Sequence, residues 1–303
     1  MVLDLRTLRY FVQVAEFGNL SRAARALNIV QPALSQRISG LEGHLGVQLF
    51  VRSPHGMDLT DEGRRLVVKA RDLLDRADAI EEEIGAASGP LHGSVRLGLP
   101  AAAANVLVEP LMGRLGESHP GILLRIDEAR TVTLLECLAA GQYDIAVTAS
   151  LGGSGRIQGD LLATETLHLV GAADSGLGDE VSFDEVARRR LVLSSRTENR
   201  ANMLDREAER IGTQLNVALE STSLATSKRL IARAGMFGIM TWSAAADGIA
   251  QASLIAAKIV DPVFPRPLFL CQLPDRRHSR ATQVVARAIE TVSAELVESG
   301  VLR

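Results

Sequence analysis

The side chains with the clearest chemistry are a group of polar residues around Pro32. Gln31, Ser35 and Gln36 fall on one outward face if this stretch is helical, and Arg37 follows them. A glutamine amide can pair with adenine through two hydrogen bonds, a guanidinium can reach guanine or phosphate, and the ring of Pro32 can pack on a thymine methyl group. These residue types in this spacing predict a helix that reads base edges in DNA.

Other residues near this helix have the chemistry needed for phosphate contacts. Arg52 is placed to enter the minor groove or to clamp the backbone, and Ser21 is predicted to cap a preceding helix and offer its backbone N–H to a phosphate. The alternative is a solvated polar face with no role in DNA binding. The complete predicted DNA-contacting set is Ser21, Arg22, Gln31, Pro32, Ser35, Gln36, Arg37 and Arg52.

Three short helices and a hairpin within residues 1–59 must position these side chains. Asp4 predicts the start of a first amphipathic helix, and a second short helix is expected to start near Ser21. Pro32 then lies in the first turn of a third helix, where its missing N–H costs nothing. Residues 48–59 predict two short strands around a turn. The segment therefore has the pattern of a winged helix-turn-helix.

Charge is unevenly divided along the 303 residues. The net charge is −3, yet residues 1–58 hold six arginines against four acids, which gives this segment +2 and leaves −5 for the remainder. Hydrophobic residues make up 47% and charged residues 23%, which is ordinary for a globular protein with a substantial core. A small basic module on an acidic body agrees with nucleic-acid binding.

Residues 60–90 predict a long amphipathic helix and a hinge. Thr60 can cap the helix, and apolar residues then recur at alternating spacings of three and four over more than three heptads. Such a helix, about 40 Å long, is expected to pair with a second copy, although packing against its own domain is the alternative. The predicted dimerisation residues are Leu66, Ala70, Leu73, Ala77, Ile80 and Ile84.

Residues 91–303 alternate strand-like and helix-like stretches, which predicts parallel sheets covered by helices. The expected strands are 94–99, 123–128, 144–148, 166–170, 191–194, 215–220, 238–241 and 268–273. The expected helices are 104–118, 131–140, 201–211, 223–234 and 278–298.

Residues 1–65 resemble the DNA-binding segment of LysR-type transcriptional regulators. The matching stretches include Leu20–Leu27, Gln31–Ile38, Leu49–Arg52 and Leu59–Gly63, in the family's order. The stretch Gly141–Val147 is similar to the strand entry of the family's effector-binding region. The sequence around Gln31 looks closest to that of the nitrogen-assimilation and cysteine-biosynthesis regulators. One departure is Val30, where many members have a Ser or Thr cap.

This resemblance implies a DNA-binding regulator that forms a homodimer or tetramer, with promoter DNA and RNA polymerase as partners. It also implies an α+β multidomain fold: a winged helix-turn-helix, a long linker helix, and a two-lobed α/β effector domain like periplasmic binding proteins. One lobe would comprise residues 91–163 and 267–303, and the other residues 164–266. An effector bound between the lobes would shift their packing and alter the spacing or bend of two DNA-bound dimers.

Ligands of such sheets lie beyond the carboxyl ends of the strands, close to helix N-termini. Arg196 and Arg200 would neutralise a carboxylate there, with hydroxyl groups nearby as hydrogen-bond donors. The loop at residues 99–104 has no hydroxyl side chain, so a partly apolar ligand and an effector-independent regulator both stay open. The predicted effector-binding set is Pro100, Ala101, Thr131, Thr148, Ser195, Arg196, Arg200, Thr222 and Thr241.

Other functional classes find little support in the sequence. The six histidines and two cysteines have no metal-binding spacing, no nucleophile motif stands out, and no signal peptide or apolar span is evident. We therefore expect a cytoplasmic non-enzyme without cofactor or metal. A small-molecule-binding protein or an enzyme without a DNA role is the weaker alternative.

Overall fold

The computed structural model describes residues 3–53, 56–85, 91–153, 155, 157–193, 199–274 and 278–303. The N-terminal part contains helices α1 (Leu5–Phe17), α2 (Leu20–Ala26) and α3 (Gln31–Leu45), as predicted. The Asp4 carboxylate accepts from the Thr7 N–H and so caps α1. Three-helix packing buries one apolar cluster, with Phe11, Leu34 and Leu41 fully enclosed.

The predicted cap of α2 was wrong by two residues. Asn19, not Ser21, precedes the helix in extended conformation, and its side chain accepts from the Arg22 N–H at 3.0 Å. Ser21 lies inside the first turn and is exposed. Asparagine and serine are equally good N-caps, so the apolar Leu20 between them decides which one is used, since it packs on the core.

The wing is a two-stranded antiparallel hairpin, β1 (Phe50–Ser53) and β2 (Gly56–Leu59). One carboxylate oxygen of Glu42 in α3 accepts from the backbone N–H of Leu49 at 2.8 Å and of Phe50 at 3.2 Å. At the other end, a Cβ on Gly56 would lie 2.2 Å from the carbonyl oxygen of Gly18. The recognition helix and the wing are therefore joined directly.

Helix α4 (Asp61–Gly85) follows, with the Thr60 hydroxyl accepting from the Gly63 N–H. The structure divides the predicted apolar seam. Ala70 is buried in the N-terminal cluster and Leu66 packs against it, so these two side chains face their own domain. Leu73 and Ile80 stay exposed, Ala77 is half-buried, and the side chain of Ile84 lies outside the described ones. Assigning one continuous dimerisation face was wrong because α4 also closes the core beneath α1.

The remaining chain forms a sheet that ten of the described strands share. Its first part contains three strands and three helices: β3 (Gly93–Leu99), α5 (Ala101–Ser118), β4 (Ile122–Glu128), α6 (Thr131–Ala139), β5 (Ile145–Thr148) and α11 (Arg280–Glu298). Its second part contains β7 (Glu180–Ser182), α7 (Phe183–Arg188), β8 (Leu191–Leu193), α8 (Asn199–Arg210), β9 (Val217–Glu220), α9 (Leu224–Arg233), β10 (Phe237–Thr241), α10 (Trp242–Ala250) and β11 (Leu254–Val260). We call these parts the first and second lobes.

Two long strands run through both lobes: β6 (Gln158–Ala172) and β12 (Pro265–Gln272). They pair with each other antiparallel, and β12 also pairs antiparallel with β5 while β6 pairs antiparallel with β10 and β11. The predicted parallel pairing therefore holds for only part of this sheet. Parallel pairing is confined to β3 with β4 and β5, β8 with β9 and β10, and β7 with β11 among the described strands.

Four short elements of the second lobe were missed: β7, α7, α10 and β11. Helix α10 has the sequence WSAAADGIA, whose small residues carry little helical periodicity because the helix is buried on most sides. Strand β11 includes two alanines and a lysine, so it lacks the β-branched run that marks a buried strand. The structure of α10 and β11 depends on their packing against β6 more than on local conformational preference.

Substitution Glu42→Gln is expected to loosen the wing, because a neutral amide oxygen is a weaker acceptor for the two N–H groups than a carboxylate. We expect a loss of about 1–2 kcal/mol in the free energy of unfolding, measured by urea denaturation. Glu62→Gln on the exposed surface of α4 is the matched control. An unchanged stability of the Glu42 variant would contradict the bridging role.

Candidate nucleic-acid interface and ligand cleft

Helix α3 presents the predicted base-reading residues to solvent. Gln31, Pro32, Gln36 and Arg37 are exposed and Ser35 is half-buried. The opposite face of the helix is locked into the core by its buried residues Leu34, Ile38 and Leu41. Burial of one face thus fixes which side chains point outward, and the five predicted residues of α3 are all exposed or half-buried.

The N-terminus of α3 has no side-chain cap. Val30 occupies the cap position with 70% of its surface exposed, and Pro32 stands in the first turn. Pro32 has no N–H, and the N–H groups of Ala33 and Leu34 donate to the Val30 carbonyl oxygen at 3.0 and 3.3 Å. This turn therefore offers an incoming anion such as a phosphate mainly the positive end of the helix dipole. Val30, where the sequence departs from the Ser or Thr of the similar proteins, thus leaves the start of α3 without a side-chain cap.

Arginines surround this helix. Arg22 lies with its guanidinium 5.7 Å from the ring centre of Phe17, and Arg52 is exposed on β1. Sequence reasoning missed Arg25, which is exposed in the last turn of α2 with its Nε–H directed at the Ser21 carbonyl oxygen, 3.4 Å away. The sequence could have indicated Arg25, because it lies with Arg22 and Arg37 inside the helix-turn-helix. All these cations face solvent, as phosphate contacts require.

A cleft of about 770 Å³ lies between the two lobes. Five of the predicted effector-binding residues line it: Pro100, Ala101, Thr131, Thr222 and Thr241. They come from strand ends and helix starts on both sides, which is where ligands of such sheets are expected. The cavity is large enough for a small organic molecule.

The other four predicted residues stand differently. Thr148 was a wrong choice, because it is fully buried, donates to the Ser150 carbonyl oxygen at 2.8 Å and contacts the Cys271 sulfur; its neighbour Ala149 lines the cleft instead. Ser195 and Arg196 lie outside the described residues. Arg200 lies in α8, and its side chain is not among those described.

Charged residues also line the cleft wall, and Glu165 and Arg266 among them were not predicted from the sequence. Glu165 and Arg266 lie opposite each other on β6 and β12, and Arg130 precedes α6. The Glu165 carboxylate is buried and accepts from the Ser243 N–H at 3.2 Å, so it serves the open N-terminus of α10. Burial raises the pKa of Glu165, and the Ser243 hydrogen bonds and the charge of Arg266 oppose that shift. The three consecutive polar residues 164–166 within the otherwise largely apolar strand β6 were the signal in the sequence that could have identified Glu165.

Both cysteines are held as neutral thiols. Cys271 is fully buried and Cys137 is half-buried, and burial raises the pKa of each thiol above its ordinary value. A raised pKa disfavours the nucleophilic thiolate. In the described part of the chain, no three His, Cys, Asp or Glu side chains group as metal ligands. No helix among the described residues combines the length and hydrophobicity that a membrane span requires.

The pKa of Glu165 gives a testable pH dependence. Because its folded-state pKa is raised, its contribution to stability is fully present below the unfolded value near 4.5 and is lost as pH rises through the folded value. Glu165→Gln should therefore gain melting temperature relative to wild type as the pH is raised from 4.5 to 8. Exposed Glu117→Gln is the control. Parallel curves for the Glu165 variant and wild type would argue against this effect.

Comparison with known proteins places these surfaces in a family. Residues 5–64 match the model of the bacterial regulatory helix-turn-helix protein, lysR family, and residues 88–294 match the LysR substrate binding domain. The chain is 34% identical over 192 residues to the nitrogen assimilation regulatory protein nac of Klebsiella aerogenes, an alignment that covers 63% of each protein. The predicted likeness to the nitrogen-assimilation branch is thereby supported.

Solved structures have the same fold. A full-length OxyR variant from Pseudomonas aeruginosa superposes with a TM-score of 0.74 at 24% identity, covering 95% of both chains. The full-length regulator CbnR, solved in complex with its target DNA, superposes with a TM-score of 0.56 at 21% identity and covers 96% of this chain and all of its own. The predicted fold class is confirmed. The chain belongs to the LysR family of transcriptional regulators, with an N-terminal helix-turn-helix and a C-terminal effector-binding domain.

Proposed function

We propose that the chain binds double-stranded promoter DNA as a homodimer or tetramer in the cytoplasm and regulates transcription in response to a small effector. The observation that carries the DNA-binding part is the exposed face of α3. Gln31 and Gln36 are exposed on this helix, whereas Leu34 and Ile38 are buried in the core. The helix would enter the major groove, with Arg52 of the wing on the backbone or in the minor groove.

The exposed residues of α4 support self-association. Leu73 is 44% exposed and Ile80, one heptad later, is 61% exposed, so both lie on one side of the helix. Large apolar side chains left in water on a long helix favour pairing with a second copy. Such pairing would present two recognition helices to two half-sites. A contact with RNA polymerase stays a prediction from the resemblance.

The cleft supports a small effector with a carboxylate or similar anionic group. Arg130 and Arg266 supply positive charge, Thr131 and Thr222 supply hydroxyl donors, and Ala101 belongs to an apolar wall. A ligand with one anionic end and an apolar body would match this lining. The apolar loop also keeps the second candidate, an effector-independent regulator, in consideration. No cofactor or metal is needed for either.

The burial of the two cysteines is relevant to peroxide sensing, a response that the name of one relative suggests. A protein from Streptomyces viridosporus, 29% identical over 302 residues and covering 97% of this chain and 95% of that one, is named a probable hydrogen peroxide-inducible genes activator. Peroxide sensing requires an accessible thiolate. The burial and raised pKa of Cys137 and Cys271 favour an effector other than peroxide.

DNA recognition is tested by binding to the region upstream of the protein's own gene at two salt concentrations. Gln31→Ala should weaken specific binding about tenfold with little change in non-specific binding, since a bidentate base contact contributes about 1–3 kcal/mol. Arg52→Ala should weaken both and reduce the salt dependence by about one ion. Arg287→Ala on α11 is the matched control. Equal loss on all sequences for the Gln31 variant would indicate phosphate contact alone.

The cleft is tested by the rise in melting temperature with a panel of small monocarboxylates and dicarboxylates. At a concentration of 100 times the dissociation constant, a ligand should stabilise the folded protein by about 2.7 kcal/mol. Arg266→Gln should remove that shift, whereas Arg287→Gln should retain it. If no carboxylate shifts the wild-type protein but a neutral or cationic compound does, the anionic part of the proposal is wrong.

A further inference from the structure

Arg71 of α4 contacts both the DNA-binding domain and the first lobe. Its Nη2–H donates to the carboxylate of Glu16 at 3.2 Å, and its Nη1–H donates to the carbonyl oxygen of Gly141 at 2.9 Å. Glu16 lies in the last turn of α1, and Gly141 lies in the loop between α6 and β5. One guanidinium therefore bridges three parts of the chain that are distant in sequence.

Neighbouring side chains extend this bridge into the sheet. The second carboxylate oxygen of Glu16 contacts the guanidinium of Arg125 on β4 at 3.3 Å. Asp144 accepts from the Arg96 backbone N–H at 2.8 Å and from its guanidinium at 2.7 and 3.1 Å. Arg96 is close enough to Arg71 for their charges to repel. We define the Arg71 cluster as Glu16, Arg71, Arg96, Arg125 and Asp144.

The burial and charge of this cluster favour orientation over stability. Only 8% of the Arg71 side chain is exposed, and burial lowers the pKa of its guanidinium to about 10. Its Nε–H has no acceptor among the described residues. Within the cluster, three guanidinium groups face two carboxylates. A buried charge of this kind is costly to desolvate, so its contribution to stability is small, and fixing one arrangement is the better explanation for it.

The loop that receives Arg71 is shaped for this contact. Gly141 has a φ of +65°, in the left-handed region that favours glycine, and a Cβ there would lie 3.6 Å from the side chain of Val68 on α4. The resulting turn places the Gly141 carbonyl oxygen toward α4 and Asp144 toward β3. The stretch that the sequence marked as a strand entry thus also forms the docking point for the linker helix.

We propose that Arg71 is a positioning residue, which holds the DNA-binding domain and α4 in one orientation against the first lobe. Its consequence for gene regulation rests on the proposed DNA-binding function. Strands β3 and β5 run from this cluster to the cleft, because Arg96 lies four residues before Pro100 and Asp144 lies five residues before Ala149. Arg96 lies in the middle of β3 and Asp144 directly before β5, so the orientation of the DNA-binding domain is set only a short stretch of strand away from the ligand cleft.

The test measures the distance between the two domains in the full-length protein. Spin labels are attached at Ser39→Cys on α3 and Glu117→Cys on α5, both exposed, in a Cys137→Ser background, and labelled chains are diluted with unlabelled protein. The positioning variant is Arg71→Met, which keeps the length but removes the charge. Arg76→Met is the matched control, since this arginine is 53% exposed on the same helix and pairs with Asp72, one turn away.

We expect a single narrow distance for wild type and the Arg76 variant, and a broad distribution for Arg71→Met. Arg71→Lys, which keeps a charge but has one donor group, should be intermediate. A narrow wild-type-like distance in folded Arg71→Met would overturn the proposal. If Arg71→Met does not fold, Glu16→Gln decides in the same way. A DNA footprint of the wild-type protein is recorded in parallel. If the wild type does not bind DNA, the proposed function is contradicted, and the distances still test whether Arg71 positions the two domains.

Discussion

The antiparallel pairing of β6 and β12 is the constraint on which the regulatory part of the molecule depends. These two strands pass through both lobes and carry the chain between them, so the lobes share one sheet and face each other across a cleft. Backbone hydrogen bonds along the pair keep the two lobes in register. Glu165, in the middle of β6, and Arg266, near the start of β12, lie opposite each other in this pair, so both reach the cleft wall.

A different principle organises the DNA-binding part. Its small helices cannot bury enough surface alone, so α4 completes their core with Val67, Ala70 and Leu74. The same helix leaves other apolar side chains exposed further along. One helix therefore serves the stability of its own domain at its start and offers an apolar face to a second copy towards its end. This division explains why a heptad pattern can be present although only part of it is available for pairing.

The polar contacts between the parts have different strengths and purposes. Glu42 joins the recognition helix to the wing through neutral backbone donors, an arrangement that fixes local geometry. Arg71 joins domains through buried charge, where displacement of either partner leaves an uncompensated ion. Exposed ion pairs such as that of Arg76 with Asp72 contribute little by comparison. Domain orientation thus depends on few side chains, and local structure on many.

The winged helix-turn-helix, most helices and strands, and the outward face of α3 could be predicted from the sequence, because these follow from periodicity, capping and turn residues that act over a few positions. The sequence also located much of the cleft, since loops after strands gather at one edge of a sheet. Tertiary structure alone decided that Thr148 turns into the core, that Glu165 and Arg266 enter the cleft, and that Ala70 faces its own domain. It also decided that Arg71 meets Gly141, 70 residues away. Such contacts depend on which segments pack together, and no local pattern encodes that pairing.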